Sequence, residues 1–118
     1  MKRWRKPIYL TDHKREKFII ENNFVSSDQI AEIRNPFSDR VVSKAYRSDK
    51  NHTNTSLNYL SEIFVKYRET PVYLRSELLD RISDKISDKS EYLSQLVTLE
   101  TGKPIKFSRI ETERAVLT

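Results

Sequence analysis

Glycine occurs once in this sequence, at position 102, inside L-E-T-G-K-P (Leu99 to Pro104). A fold rich in tight turns draws heavily on glycine, because types I′, II and II′ need a residue that tolerates positive φ. With one glycine and four prolines in 118 residues, a barrel or sandwich of many hairpins is excluded in practice, and helices must dominate. Glycine beside lysine raises the question of a phosphate-cradling loop. Such a loop needs several glycines, so that successive N–H groups turn inward, and a Ser or Thr after the lysine; here Pro104 follows Lys103. An apolar run leading into Gly102, with proline two residues on, is instead the composition of a helix end.

Hydrophobic residues make up 36% of the chain against 33% charged, so a core is feasible but thin. The absence of cysteine removes disulfides, thiolate metal sites and a thiol nucleophile from this stretch, and suits a reducing, cytoplasmic setting. No apolar run approaches a membrane span, and Ile8-Tyr9-Leu10 is too short for a signal-peptide core.

The net charge of +5 invites a nucleic-acid reading, but its location argues against one. Lys2, Arg3, Arg5, Lys6, Lys14, Arg15 and Lys17 face only Asp12 and Glu16 within the first twenty residues, leaving fifteen charges of each sign beyond them. The surplus sits in an N-terminal arm, residues 1–17, and the body presents no basic stripe to phosphates. Trp4 within the arm has the ring to stack on a base; a solvated or partner-packed arm is the simpler reading.

Residues 18–47 read as strands and turns. Phe18-Ile19-Ile20 and Phe24-Val25 flank Glu21-Asn22-Asn23, a short hairpin. Ile30 to Arg34 is a second β segment that stops at Asn35-Pro36, and Phe37 to Arg40 turns the chain into a strand from Val41 to Tyr46. The period then changes. Leu57, Leu60, Ile63, Phe64 and Tyr67 mark an amphipathic helix from Asn51 to Arg68 with Thr53 as expected N-cap. Thr70-Pro71 starts the next, striped by Leu74, Leu78, Leu79, Ile82 and Ile86. Its repeat I-S-D-K-I-S-D-K sets up Arg81–Asp84 and Lys85–Asp88 pairs and an Asp80, Asp84, Asp88 row that reads as a solvated face. A cap near Ser87 or Asp88 begins a third helix, with Tyr92, Leu93, Leu96 and Val97 inward and its end at Gly102. Ile105 to Thr118 starts a fourth and finishes on Ala115-Val116-Leu117 without a cap, which raises the expectation of a truncated chain. His13 and His52 receive no role.

In this order, the hairpin, I-R-N-P-F-S-D-R-V-V, a helix, a T-P junction, R-S-E-L-L-D-R-I and L-E-T-G-K-P, the elements over residues 18 to 118 resemble the N-terminal region of the NAD(P)-dependent aldehyde dehydrogenases. The second stretch is similar to that family's N-P-x-[ST]-G-x-x-[IV] entry strand, with Asp39 in the glycine position; residues 1–17 do not match it. The resemblance implies an α/β parent fold, in which short N-terminal strands and three or four α-helices, residues 48–118, form part of a nucleotide-binding domain. It implies oxidation of an aldehyde to a carboxylic acid with NAD or NADP, usually by a homo-oligomer. The family's cysteine nucleophile, glutamate base and cofactor turn have no counterpart in these residues, so the chain alone is expected to be inactive, to bind no cofactor and to be marginally stable or self-associating. By the same resemblance, the carbonyls of Ile33 and Arg34 with the carboxylate of Glu100 hold a monovalent cation, an oxygen-only donor set suited to a hard ion. Arg114 falls on the helix bordering the family's substrate tunnel, where a guanidinium suits a substrate with its own anionic group. For both, plain surface roles are the alternative: Glu100 as a carboxylate near a helix end and Arg114 as a helical partner of Glu111. A self-sufficient helical interaction module, and nucleic-acid binding through the arm, are the rival functions.

Overall fold

In the computed structural model, which describes residues 15–118, the first hairpin is the shortest possible. β2 (Phe18–Ile20) pairs antiparallel with β3 (Asn23–Val25), Ile20 opposite Asn23, leaving Glu21 and Asn22 alone in the loop. Both have positive φ, 51° and 64°, as a type I′ turn requires. The Asn23 side chain donates to the Glu21 carbonyl at 3.1 Å and braces it.

β4 (Ile30–Arg34) pairs antiparallel with β5 (Val41–Tyr46), and β1 (Arg15–Glu16) runs parallel along the other edge of β5. The end of the basic segment is thus a strand; the rest of the arm, Lys2 to Lys14 with Trp4, lies outside the described residues. A register shift between Ile33 and Arg34 marks a β-bulge, which twists the strands locally. Between β4 and β5, Asn35 organises the turn. Its Oδ1 accepts from the Phe37 and Ser38 amides at 3.1 and 3.0 Å, and its carbonyl accepts from Asp39 N at 2.9 Å. Asp39 sits at φ 54°. This position has the left-handed backbone that glycine occupies without strain, which explains physically why aspartate aligns with a glycine in the entry-strand pattern.

Four helices follow: α1 (Lys50–Tyr67), α2 (Val72–Asp88), α3 (Ser90–Thr101) and α4 (Ile105–Leu117). The α1 cap is Asp49, not Thr53. The Asp49 carboxylate accepts from His52 N at 2.8 Å, whereas Thr53 is already helical and bonds back to the Asp49 carbonyl. His52 therefore has a structural role that the sequence did not disclose: its Nδ1 lies 2.8 Å from Asp49 Oδ1, and its ring meets Phe18 edge-on at 5.0 Å. α3 starts without a side-chain cap from Ser87 or Asp88, because Lys89, at φ −105° and ψ 9°, carries the chain between helices almost without a break. Pro71 and Pro104 immediately precede α2 and α4, where a missing N–H costs nothing. Arg81 pairs with Glu77 one turn back, at 2.5 Å, and not with Asp84.

The packing differs most from a conventional helical domain. Where α3 meets α4, the buried residues are Ser94, 1% exposed, Ser108, fully buried, and Thr112. Ser94 Oγ lies 3.0 Å from Thr112 Oγ1, Thr112 donates to the Ser108 carbonyl at 3.0 Å, and the Thr98 and Ser108 hydroxyls share a bond of 2.9 Å. Ser83 on α2 donates to the Val116 carbonyl at 2.7 Å. The seam is made of hydroxyls, and the apolar residues expected inward are displaced from it: Leu93, Leu96 and Val97 are half-buried and Tyr92 is exposed. Small side chains let the two helices approach more closely than leucines would. Elsewhere the apolar stripes have the predicted period but are largely exposed among the described residues. Phe64 is 60%, Leu79 62% and Leu117 85% exposed, and Ile20 is the one buried large hydrophobic among the described residues.

Candidate functional site

Two sequence motifs far apart in the chain meet where the Asn35–Arg40 turn lies against the C-terminal end of α3. Gly102, at φ 71°, ends the helix in the left-handed conformation, its N–H bonding to the Thr98 carbonyl at 3.0 Å. A Cβ there would sit 2.4 Å from Phe37 Cε2 and 2.7 Å from Pro36 Cγ. The single glycine thus has two reasons to be glycine, one conformational and one steric, and the second comes from the N-P-F turn.

Asn35 closes the junction. While its Oδ1 holds the turn, its Nδ2 donates to the Leu99 carbonyl at 2.8 Å, satisfying one of the acceptors that a helix C-terminus leaves open. One residue on, Glu100 receives a hydrogen bond of 3.1 Å from Ser43 Oγ. Ser43 is buried in β5 and pairs in register with Ile33. Ser43 therefore links Glu100 to the β4–β5 ladder, in which it pairs with Ile33. Arg34 lies next along β4, its guanidinium turned to Glu32 at 2.6 Å and to the Asp39 carbonyl at 2.9 Å. Lys44, opposite Glu32 in the ladder, reaches the same carboxylate at 2.8 Å; its hydrogen bond, then that of Arg34, holds the Glu32 carboxyl below the usual carboxylate range.

Arg114 belongs to a different neighbourhood. It lies exposed in the last turn of α4, and its carbonyl accepts from Thr118 Oγ1 at 2.8 Å. Lys103 takes the Glu111 carboxylate, and the Arg114 guanidinium makes no ion pair among the described residues. Arg109 is engaged with Glu91, both nitrogens at 2.9 Å. Ser43 and the Asn35 side chain were not singled out from sequence. The N-P dipeptide marks a turn, but nothing local announces that the amide also reaches a helix 64 residues away.

The N-terminus of α1 does not fit the phosphates of a dinucleotide. The helix that follows a strand here, α1, has its first-turn amides capped by the Asp49 carboxylate, which occupies the donors and repels an anion. No three His, Cys, Asp or Glu side chains cluster as a metal site among the described residues, and no described helix is long and apolar enough to cross a membrane.

Comparison with known proteins agrees with the resemblance carried by these motifs. Lactaldehyde dehydrogenase from Methanococcus aeolicus is 26% identical over 87 residues, covering 74% of this chain and 19% of that protein. Malonate-semialdehyde dehydrogenase from Bacillus pumilus is 26% identical over 108 residues, covering 90% and 22%. In structure, a double mutant of betaine aldehyde dehydrogenase from Staphylococcus aureus, in complex with NAD⁺, superposes with a TM-score of 0.81 at 23% identity over 88% of this chain and 22% of that one. The chain spans about a fifth of the length of the curated relatives it matches. Its strands followed by four helices are a section of their α/β fold. The family model for aldehyde dehydrogenases matches residues 24–118, the stretch that holds the Asn35 turn and the Gly102 helix end, and the chain belongs to the aldehyde dehydrogenase family.

Proposed function

We propose that this chain supplies the N-terminal layer of a cytoplasmic, homo-oligomeric enzyme that oxidises an aldehyde to a carboxylic acid with NAD or NADP. The observation that carries the reading is the family match over residues 24–118. The residues present bind no part of the cofactor, so hydride transfer falls to the rest of the polypeptide. The role of these residues is to fix the junction of strand, turn and helix on which that remainder is built. Alone, the chain is inactive.

Within it, the carbonyls of Ile33 and Arg34 and the carboxylate of Glu100 hold a monovalent cation. Support comes from the pairing of Ile33 with Ser43 and the Ser43–Glu100 hydrogen bond, which tie the carboxylate to the strand that faces Ile33. Arg114 takes the anionic end of a substrate, as the carboxylate of malonate semialdehyde would present it. Its support is a guanidinium unclaimed by Glu111.

The experiment is a spectrophotometric assay of NADH and NADPH formation over a panel of neutral and acidic aldehydes. It compares the chain alone with a polypeptide that carries this stretch together with the remaining family length. Turnover by the longer polypeptide, faster on acidic aldehydes and reduced for them by Arg114→Gln, is expected; no turnover with any aldehyde overturns the reading. For the cation, potassium chloride should raise the unfolding midpoint of the chain above that in choline chloride, and Glu100→Gln should abolish the difference.

A further inference from the structure

Of the carboxylates around the turn and the helix end, Glu32 and Asp39 each meet Arg34, whereas Glu100 makes no ion pair among the described residues. Glu100 is half-buried near the end of α3, and the hydrogen bond it accepts comes from a neutral hydroxyl, Ser43 Oγ. Three cationic side chains stand near it in sequence or register, and each is committed elsewhere. Lys44 follows Ser43, so its side chain leaves the opposite face of β5, where it pairs with Glu32 at 2.8 Å. Arg34 pairs with Glu32 at 2.6 Å and with Asp39 at 3.5 Å. Lys103, just past the helix end, takes Glu111. A partly desolvated carboxylate held by a hydroxyl keeps its full charge, and a cation is what satisfies it. Glu100 therefore fits the monovalent ion proposed above, with a charge that no described lysine or arginine cancels.

Ser43 makes that carboxylate usable. The residue is 8% exposed, and a serine hydroxyl has one proton to donate. It donates to Glu100 Oε1 at 3.1 Å, from a strand to a helix residue 57 positions on. One oxygen is thereby fixed and the other is left for a second partner. A lysine in the same place would fix the carboxylate equally well, but it would also discharge it. We propose that Ser43 is a positioning residue for the cation: its hydroxyl holds Glu100 Oε1 so that Oε2 faces the ion, and it sets the affinity without touching the ion itself. The inference rests on the cation reading above.

The test follows the ¹³C resonance of the Glu100 carboxyl in the 118-residue chain as choline chloride is exchanged for potassium chloride at fixed total salt, with the unfolding midpoint measured over the same series. Ser43→Ala should raise the half-saturating potassium concentration about tenfold or more. Ser43→Thr, which keeps the hydroxyl in a strand-favouring residue, should bring it back toward the parent value. A purely structural serine predicts otherwise: the alanine variant would unfold earlier to the same extent in both salts, with the half-saturating concentration unchanged. That result overturns the positioning role and leaves the cation site standing. Ser43→Cys, close in size but a poor donor, serves if the alanine variant misfolds and should weaken potassium likewise; affinity lost with alanine but kept with cysteine assigns the effect to packing and overturns the role of the hydroxyl. A parent chain whose Glu100 carboxyl responds no differently to potassium than to choline overturns the cation reading and this inference together.

Discussion

Replacing Gly102 by alanine tests the junction on which the fold turns. The new Cβ forces an L-residue into φ 71°, a cost of about 1–2 kcal/mol. It also meets two side chains of unequal freedom. Phe37 is the nearer, at 2.4 Å, but the residue is 84% exposed and its ring can swing into solvent. Pro36 Cγ, at 2.7 Å, belongs to a ring fixed in a turn that Asn35 holds from both ends, and moving it adds about 1–2 kcal/mol of the kind that overpacking costs. The expected loss is therefore about 2–4 kcal/mol, read from urea unfolding followed by circular dichroism. Double mutants apportion it: Phe37→Ala should recover little of the loss and Pro36→Ala about half. A Gly102→Ala change within about 0.5 kcal/mol of the parent, or full recovery by Phe37→Ala alone, would refute the argument that the turn is pinned against the helix end.

Asn35→Asp keeps the acceptor that holds the Phe37 and Ser38 amides but sets a carboxylate against the Leu99 carbonyl; it should cost about 1–3 kcal/mol at pH 7. The deficit should narrow near pH 3, where a protonated Asp can donate, and urea midpoints at the two pH values decide it. Ser94→Leu should destabilise the chain by about 1–3 kcal/mol by prising α3 from α4, whereas Ser94→Ala should cost about 1 kcal/mol; comparison of their thermal midpoints separates bulk from bonding. The Asp49 carboxyl is held below its usual range, chiefly by the His52 amide that donates to it. A depressed folded value means that the cap stabilises above the unfolded pKa, near 4, and is lost as pH falls through the lower folded value. The NMR shift of the His52 amide should titrate in that acid window, and Asp49→Asn should keep the cap while removing the titration.

Much of this architecture is legible in the sequence because it rests on local physics. The helical stripes of α1 and α2, the Asn-containing hairpin, the proline starts and the glycine stop each follow from the residues that form them. What escapes is decided at a distance. Asp49 outcompetes Thr53 as a cap because the carboxylate reaches the His52 amide from a residue still in extended backbone, and only the end point of β5 settles which residue that is. The inward face of α3 cannot be read from its leucines, because the neighbour it meets presents Ser108 and Thr112, small enough that hydroxyls rather than methyl groups fill the gap. The candidate cation residues were brought to notice by resemblance; Ser43, the side chain that joins Glu100 to the ladder, is an ordinary strand serine until the third dimension is known.

The hydroxyl seam between α3 and α4 has one more consequence. Ordinary helix pairs spend their oily residues on each other and offer a polar exterior, so they end a layer. Here the glue is hydrogen bonding between small groups, which leaves Tyr92 of α3 and Phe107, Ile110 and Leu117 of α4 exposed, within a body only 20 Å deep along its shortest axis. Such a pair behaves as a thin two-sided tile, suited to the middle of a stack and unable to form its outer wall.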